Sequence, residues 1–355
     1  MSKFFSGRHA ALIPYTPGEQ PQDMQYVKLN TNESPFPPSG GVLEAALREA
    51  GKLQLYSDPT SGELTRKMAG YMGVTPDMVL MTNGSDEALY YAFMAFGDEN
   101  HPMVFPDITY GFYPVYADLF HIPYEEKPLK DDFSIDAGEY MNVGKTVVIA
   151  NPNAPTGRCL PLSVIEEIVK SNPENLVLID EAYVDFGGES AVPLTLRYDN
   201  LLVVGTFSKS RSMAGARLGY AIASPAVIAD MNTVKYSLNP YNVNRVTAAA
   251  GVAALEEDEY YKSNCKIIME NREWTACELE KLGFDVIPSK TNFLFAKAPG
   301  ISGEALYLGL KKRGVLVRHF TLERIKEYNR ITIGTREQME MFLAKTKEIL
   351  KEAQA

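Results

Sequence analysis

The sequence predicts an α/β fold, a mainly parallel sheet flanked by helices with a smaller α+β unit after it. Three observations carry the prediction. Short apolar runs recur between about residue 42 and residue 220: MVLM (78–81), TVVIA (146–150), NLVLI (175–179) and LLVV (201–204). Runs of about four or five apolar residues bounded by turns are what strands buried on both faces look like. Amphipathic stretches, ALYYAFMAF and LSVIEEIVK among them, lie between some of these runs and provide the crossovers that parallel strands require. Beyond Asn239 the texture changes to a long helical stretch followed by mixed strands and helices.

Taken in order, the first 40 residues, with TPGEQPQ and LNTNESPFPPSGG, are rich in Pro, Gly, Asn and Ser and read as an arm and loops. Helical period begins near Val42 in VLEAALREAGKL. After the four apolar runs, one helical stretch is expected from about Val243 to Leu282. FDVIPSKTNFLFAK, GEALYLGLKKRG, VLVRHF and NRITIG follow, and an amphipathic helix after Thr335 closes the chain. At 355 residues the chain exceeds the roughly 100–200 residues of one domain. The expected division is an arm over residues 1–35 packing on the small domain and a dimer partner, a large domain over 36–245 and a small C-terminal domain over 246–355.

Composition narrows the function. With 45% hydrophobic and 23% charged residues the chain falls in the globular range. A formal net charge of −10 opposes nucleic acid and anionic membranes, both of which need a basic face. Cys159, Cys265 and Cys277 are far apart and odd in number, which suits free thiols in a reducing cytoplasm. His9, His101, His121 and His319 are scattered, and no Cys or His spacing suggests a metal. The opening MSKFFSGRHAALIPY lacks a signal-peptide apolar region, so the cytoplasm is expected.

Ligands of open α/β sheets bind beyond the carboxyl ends of the strands, so the residues after each apolar run matter most. MVLM is followed by TNGSDEALYY, a glycine turn with Ser85 as the expected N-cap of a helix, and such helix N-termini seat phosphates. TVVIA is followed by the rigid loop NPNAPTG, and NLVLI by DEAYVDF, with Asp180 at the strand end and Tyr183 three residues on. A carboxylate ending a buried strand is costly unless it meets a cation. LLVV is followed by TFSKSRSMAGARLGY, with Lys209 between two serines and Arg217 eight residues on. A phosphate seat, an acid wanting a cation, a phenol and a lysine complement one molecule, pyridoxal 5′-phosphate, whose aldehyde a lysine amine converts to a Schiff base. Ser208 and Arg217 add contacts to its phosphate.

These segments resemble the fold-type I, class I/II pyridoxal-phosphate aminotransferases, and within them the histidinol-phosphate aminotransferase family. LIPYTPGE, VKLNTNESPFPPS, LYSDPTSGELTRKMAGYMGV, TNGSDEAL, FPDITYGFY, SKTNFLFA and VLVRHF recur in family order beside the strand-end motifs, over nearly the whole chain. The resemblance implies that Lys209 tethers the cofactor, that Asp180 keeps its pyridine nitrogen protonated, that Tyr183 bonds its 3′-oxygen and that Tyr110 stacks on its ring. The backbone of Ser85 and Asp86, with Ser208 and Arg217, would hold the phosphate, joined by Tyr56 from the neighbouring subunit of a homodimer. Arg330 and Arg318 would bind the anionic end of the substrate, with Asn32 and Tyr15 near its amino-bearing part.

One position departs from the family, whose loop commonly reads Asn before Pro-Thr-Gly where this chain has Ala154. Either Tyr183 alone supports the 3′-oxygen or Asn153 takes over from one residue earlier. The implied reaction is ping-pong transfer of an amino group from L-histidinol phosphate to 2-oxoglutarate. An aromatic amino acid donor and a threonine-phosphate decarboxylase remain alternatives on the same scaffold. A cofactor-sensing regulator is disfavoured, because fewer than 40 residues precede the fold and the charge is acidic.

Overall fold

Local signals set where each element begins and ends in the structure, a computed structural model that describes residues 2–354. β1 (Val27–Lys28) follows the arm and precedes α1 (Gly40–Ala50) and α2 (Gly62–Met72). The central part runs β2 (Val79–Thr82), α3 (Ser85–Phe96), β3 (Met103–Pro106), α4 (Phe112–Phe120), β4 (Tyr124–Lys127), β5 (Thr146–Ala150), α5 (Leu162–Ser171), β6 (Val177–Asp180), β7 (Leu201–Thr206) and β8 (Gly219–Ala223). Then come α6 (Pro225–Leu238), α7 (Arg245–Glu256), α8 (Asp258–Lys281), β9 (Asp285–Ile287), β10 (Phe293–Lys297), α9 (Gly303–Lys312), β11 (Val315–Leu316), β12 (Arg318–His319), β13 (Tyr328–Thr332) and α10 (Arg336–Gln354).

Seven strands form one sheet in the order β2-β8-β7-β6-β5-β3-β4. Only β8 runs antiparallel to its neighbours. The four apolar runs of the sequence are β2, β5, β6 and β7, and every residue in those strands is buried. Alternate residues enter different apolar clusters, Val147 and Ile149 on one face and Val148 and Ala150 on the other, as strand pleating requires. Three further strands escape the sequence reading. β4 (YEEK) is an edge strand whose residues are exposed or half-buried, so it carries charges where a buried strand carries an apolar run. β3 ends in Pro106, a residue that argues against strand by propensity. β8 follows so closely on the lysine loop that it reads as part of that motif.

Two expectations need correction. The N-cap of α3 is Gly84 and not Ser85, which is the first helical residue. The chain turns there with φ +81, which glycine adopts without strain. The single helix expected over 243–282 is two, α7 and α8, broken at Glu257, whose carboxylate accepts from the Gly41 backbone N–H at 3.2 Å. That contact is tertiary and leaves no trace in helical periodicity. α7 packs on α1 and α2.

After α8 a four-stranded antiparallel sheet, ordered β12-β13-β10-β9, packs with α8, α9 and α10 around a third apolar cluster. The arm returns to this part of the chain: β1 pairs in parallel with β11, and Leu29 joins its cluster. Among the described residues no helix is long and apolar enough to cross a membrane.

The register at one edge brings the ligand loops together. Gly219 of β8 lies opposite Thr82 at the end of β2 and opposite Thr206 at the end of β7. A Cβ at Gly219 would lie 2.4 Å from the Gly84 carbonyl carbon and 2.5 Å from the Ser85 nitrogen, both backbone atoms that cannot rotate away. Gly219→Ala is therefore expected to lower stability by about 1–3 kcal/mol through overpacking, read as a lower midpoint in thermal melts.

Glu181 follows β6 and is buried, with its carboxyl accepting from Ser190 Oγ at 2.6 Å and from the Ala191 N–H at 2.5 Å. Burial pushes its pKa up to about 8, whereas an unfolded glutamate titrates near ~4.3. Between those values the folded chain holds a proton that the unfolded chain has released, so stability falls as pH rises through the window. Glu181→Gln, which cannot ionise, is expected to flatten the decline in melting temperature of the cofactor-free protein across this range.

Candidate active site

Because β5, β6 and β7 are adjacent, the residues following them emerge side by side, and β2 delivers the start of α3 to the same edge. There Ser85, Asp86, Tyr110, Asp180, Tyr183, Ser208, Lys209 and Arg217, all expected from the sequence, line one cavity with an empty volume of ≈ 530 Å³.

At one end the cavity is built for an anion. The first turn of a helix has backbone N–H groups without intrahelical partners, and Gly84 and Gly219 leave no side chain in front of those of α3. A Cβ at Gly84 would lie 2.6 Å from Arg217 Nη2. Arg217 Nη2 bonds Asp86 Oδ2 at 2.9 Å, and the Tyr110 hydroxyl donates to Asp86 Oδ1 at 2.7 Å, so the aromatic ring and the guanidinium are held by one carboxylate. Thr206 Oγ1 bonds Ser208 Oγ at 2.9 Å, fixing that hydroxyl.

The other groups stand without opposite charges. Asp180 is buried at the end of β6, where its oxygens accept from the Tyr113 hydroxyl at 3.0 Å and the Ala182 N–H at 3.1 Å. Among the described residues no cation pairs with it, and burial pushes its pKa up to about 6. Lys209 Nζ donates to the Thr31 carbonyl at 3.3 Å and lies 5.9 Å from the centre of the Tyr183 ring, with no carboxylate at ion-pair distance among the described residues. Asn32, with φ +57, donates through Nδ2 to the Tyr183 oxygen at 2.8 Å while its Oδ1 accepts from Thr332 Oγ1 at 2.9 Å. With its oxygen already accepting, Tyr183 keeps its own proton for an acceptor in the cavity.

Arg330 lies beyond Tyr183. Its guanidinium stacks on Phe293, 5.3 Å from the ring centre, and Phe293 in turn meets Tyr183 edge-on at 5.2 Å. Nη2 donates to the Asn30 carbonyl at 3.1 Å, but Nε is buried without a hydrogen-bond partner and no carboxylate pairs with the group among the described residues. Burial lowers its pKa. Arg318 lies directly across from Arg330 in the β12–β13 pairing. Its two Nη atoms donate to the carbonyls of Thr16 and Pro17 at 3.1 and 3.2 Å, so it binds the arm. Tyr15 of that arm stacks on Phe112 at 4.2 Å and lies 6.4 Å from Tyr110.

Asn153 does not reach the cavity, and Tyr56, expected to serve the partner subunit's cofactor, lies outside this chain's own. Asn153 is buried with its amide engaged: Oδ1 accepts from Thr109, and Nδ2 donates to the Ile108 carbonyl and to Thr156 Oγ1. It holds its own loop together, and Ala154 is the residue that lines the cavity. The reassignment of a 3′-oxygen contact to Asn153 is thereby withdrawn. Tyr56 is 80% exposed and stacks on Tyr241 at 4.6 Å, away from this chain's cavity. Sequence reasoning missed Thr206, Tyr113 and the Thr31 carbonyl. Thr206 and Tyr113 lie inside motifs already singled out, where only the register shows which way they point, and a carbonyl carries no sequence signal.

Pyridoxal 5′-phosphate fits these residues on structural grounds: an anion cradle that a Cβ would fill, a buried carboxylate lacking a cation, a phenol with a free donor and a lysine free of carboxylates. Among the described residues no three His, Cys, Asp or Glu side chains gather to hold a metal.

Comparison with known proteins agrees. The sequence model described as Aminotransferase class I and II matches residues 24–345. A histidinol-phosphate aminotransferase of Brachyspira hyodysenteriae is 47% identical over 99% of this chain and 100% of its own length. One of Marinomonas sp. is 48% identical over 98% of this chain and 100% of its own. The crystal structure of histidinol-phosphate aminotransferase from Sinorhizobium meliloti in complex with pyridoxal-5′-phosphate superposes with a TM-score of 0.85 at 23% identity, covering 92% of each chain, a likeness of fold. The chain belongs to the class I and II aminotransferases and, by its full-length relatives, to their histidinol-phosphate aminotransferase branch.

Proposed function

We propose that this enzyme uses pyridoxal 5′-phosphate to move the amino group of L-histidinol phosphate to 2-oxoglutarate, giving imidazole acetol phosphate and L-glutamate in ping-pong order. The observation that carries the substrate class is Arg330, a buried guanidinium with an unpartnered Nε and, among the described residues, no carboxylate paired to it. A desolvated cation of that kind is poised for an anionic ligand. Its planar fork binds phosphate and carboxylate in the same bidentate way, so one site accepts both substrates.

When bound, the cofactor supplies an aldehyde that captures amines and a protonated ring that draws electrons from the substrate's amino-bearing carbon. Lys209 Nζ would hold the aldehyde and, once freed by the substrate amine, would be the group that moves the proton of that carbon. Asp180 would keep the pyridine nitrogen protonated, and Tyr183 would donate to the 3′-oxygen. Tyr110 would cover the ring. The backbone N–H groups of Ser85 and Asp86, with Ser208 and Arg217, would hold the phosphate, and Asn32 fixes Tyr183. Arg318 acts at one remove, through the arm that carries Tyr15.

We also propose a cytoplasmic homodimer in which Tyr56 reaches the partner's cofactor phosphate. Support comes from apolar side chains exposed on connected elements, Leu47, Leu53, Leu55, Tyr56 and Tyr241, since such patches mark interaction surfaces. The arm, large lobe and small lobe are divided at residues 36 and 246, and α7, which opens the small lobe's segment, packs back on α1 and α2 of the large lobe.

The deciding experiment mixes holoenzyme with one amine at a time, without keto acid, and follows the cofactor absorbance. L-histidinol phosphate is expected to convert it fastest. Conversion by phenylalanine at equal or greater rate would reassign the donor, and carbon dioxide release from O-phosphothreonine would reassign the reaction. Arg330→Met is expected to lower kcat/KM for histidinol phosphate on the order of a hundredfold, as loss of charge-assisted bonds to phosphate predicts. Tyr56→Phe is expected to weaken cofactor binding about tenfold, the worth of one hydrogen bond to a charged group, while sedimentation shows the dimer unchanged.

A further inference from the structure

We propose that Tyr113 is a positioning residue for the cofactor: from the first turn of α4 its hydroxyl holds the Asp180 carboxylate oriented and ionised for the pyridinium. This rests on pyridoxal phosphate being the cofactor. Tyr113 is fully buried, and its ring packs against Phe93, Phe105 and edge-on against Tyr110 at 5.7 Å. A buried phenol needs a partner for its O–H, and here that partner is Asp180 Oδ2 at 3.0 Å. The other oxygen, Oδ1, accepts from the Ala182 N–H, so each oxygen has one fixed donor and the plane of the carboxylate is set. Tyr110 and Tyr113 are three residues apart across the start of α4, so one turn presents both the ring-covering residue and the support of the acid. Tyr91 offers a contrast within the same apolar cluster: it is also buried, but among the described residues its hydroxyl has no hydrogen-bond partner.

The charge environment makes this donor matter. Asp180 is opposed by Asp86 from α3 and flanked by Glu181, while Lys209 beyond β7 favours the charged form. The phenols of Tyr113 and Tyr116 from α4 face it, and Tyr183 lies three residues on. Burial raises its pKa, and the hydroxyl of Tyr113 is the foremost influence pulling it down. Without that hydroxyl the cofactor-free protein would keep Asp180 protonated to higher pH, and the ion pair with a pyridinium would form only at the cost of releasing that proton.

The test titrates cofactor-free protein with pyridoxal 5′-phosphate across the acid and neutral range, for the wild type, Tyr113→Phe and Tyr91→Phe. Tyr113→Phe is expected to weaken binding about tenfold on the acid side and to move the acid limb of the affinity profile up by about one pH unit. Tyr91→Phe, which deletes another buried hydroxyl, leaves the profile of the wild type. Tyr113→fluorotyrosine, a more acidic phenol and so a stronger donor, is expected to move the limb the opposite way, and it tests the idea even if the phenylalanine variant does not fold. Profiles of the Tyr113 variants that superimpose on the wild type overturn the inference alone. A wild type that binds no pyridoxal phosphate overturns the cofactor reading and this inference with it.

Discussion

Asp180 ends a strand whose every residue is buried, and among the described residues no cation pairs with it. A lone charge in such a place is tolerated only where hydrogen bonds hold it and a ligand completes it. Much of the cavity follows from that constraint. The acid is held by a phenol from α4 and a backbone N–H from its own loop, Lys209 stands on the next strand's loop, and an anion cradle closes the far end. The three charges are arranged for a molecule carrying a cationic nitrogen, an electrophile and a phosphate. Binding such a molecule to the folded state alone would add its free energy to stability by mass action, and so would offset the cost of that buried charge.

Arg330 repeats the logic with the opposite sign. Stacked between Phe293 and Phe320 beyond Tyr183, it is a buried cation with no carboxylate paired to it among the described residues. Arg318 sits opposite it in the sheet, and like charges directly opposed are unfavourable. The carbonyls of Thr16 and Pro17 absorb part of that repulsion and draw the arm across the edge of the small sheet. Thus a repulsion between two arginines is converted into a fixed path for the segment that carries Tyr15.

The parts of this arrangement legible in the sequence were those where one residue type has few structural explanations. Uniformly apolar runs announced β2, β5, β6 and β7, because strands covered on both faces need nothing else. β4 stayed hidden because an edge strand is half in water, and β8 because its neighbours are antiparallel and its start is fused to a motif. Charged residues at strand ends, Asp180, Lys209 and Arg217, were readable for the same reason that they are costly. Tyr113 and Thr206 were not, since a phenol or hydroxyl inside a motif points inward or outward according to register alone. Asn153 misled for a related reason: an amide next to the cavity is equally suited to binding a ligand or to closing its own loop, and Thr109 and Thr156 decide the matter.

The last link joins the two halves of the site. Thr332 Oγ1 donates to Asn32 Oδ1, and Asn32 Nδ2 donates to the Tyr183 oxygen, so a chain of two hydrogen bonds runs from β13 through the arm's end to the phenol beside Lys209. Arg330 is on the same strand, two residues before Thr332. Arg330 and the hydroxyl that fixes Asn32 thus stand on one strand, and Tyr183 has only its proton left to offer the cavity. That strand has little freedom to shift, because β13 is paired on both sides, with β10 and with β12.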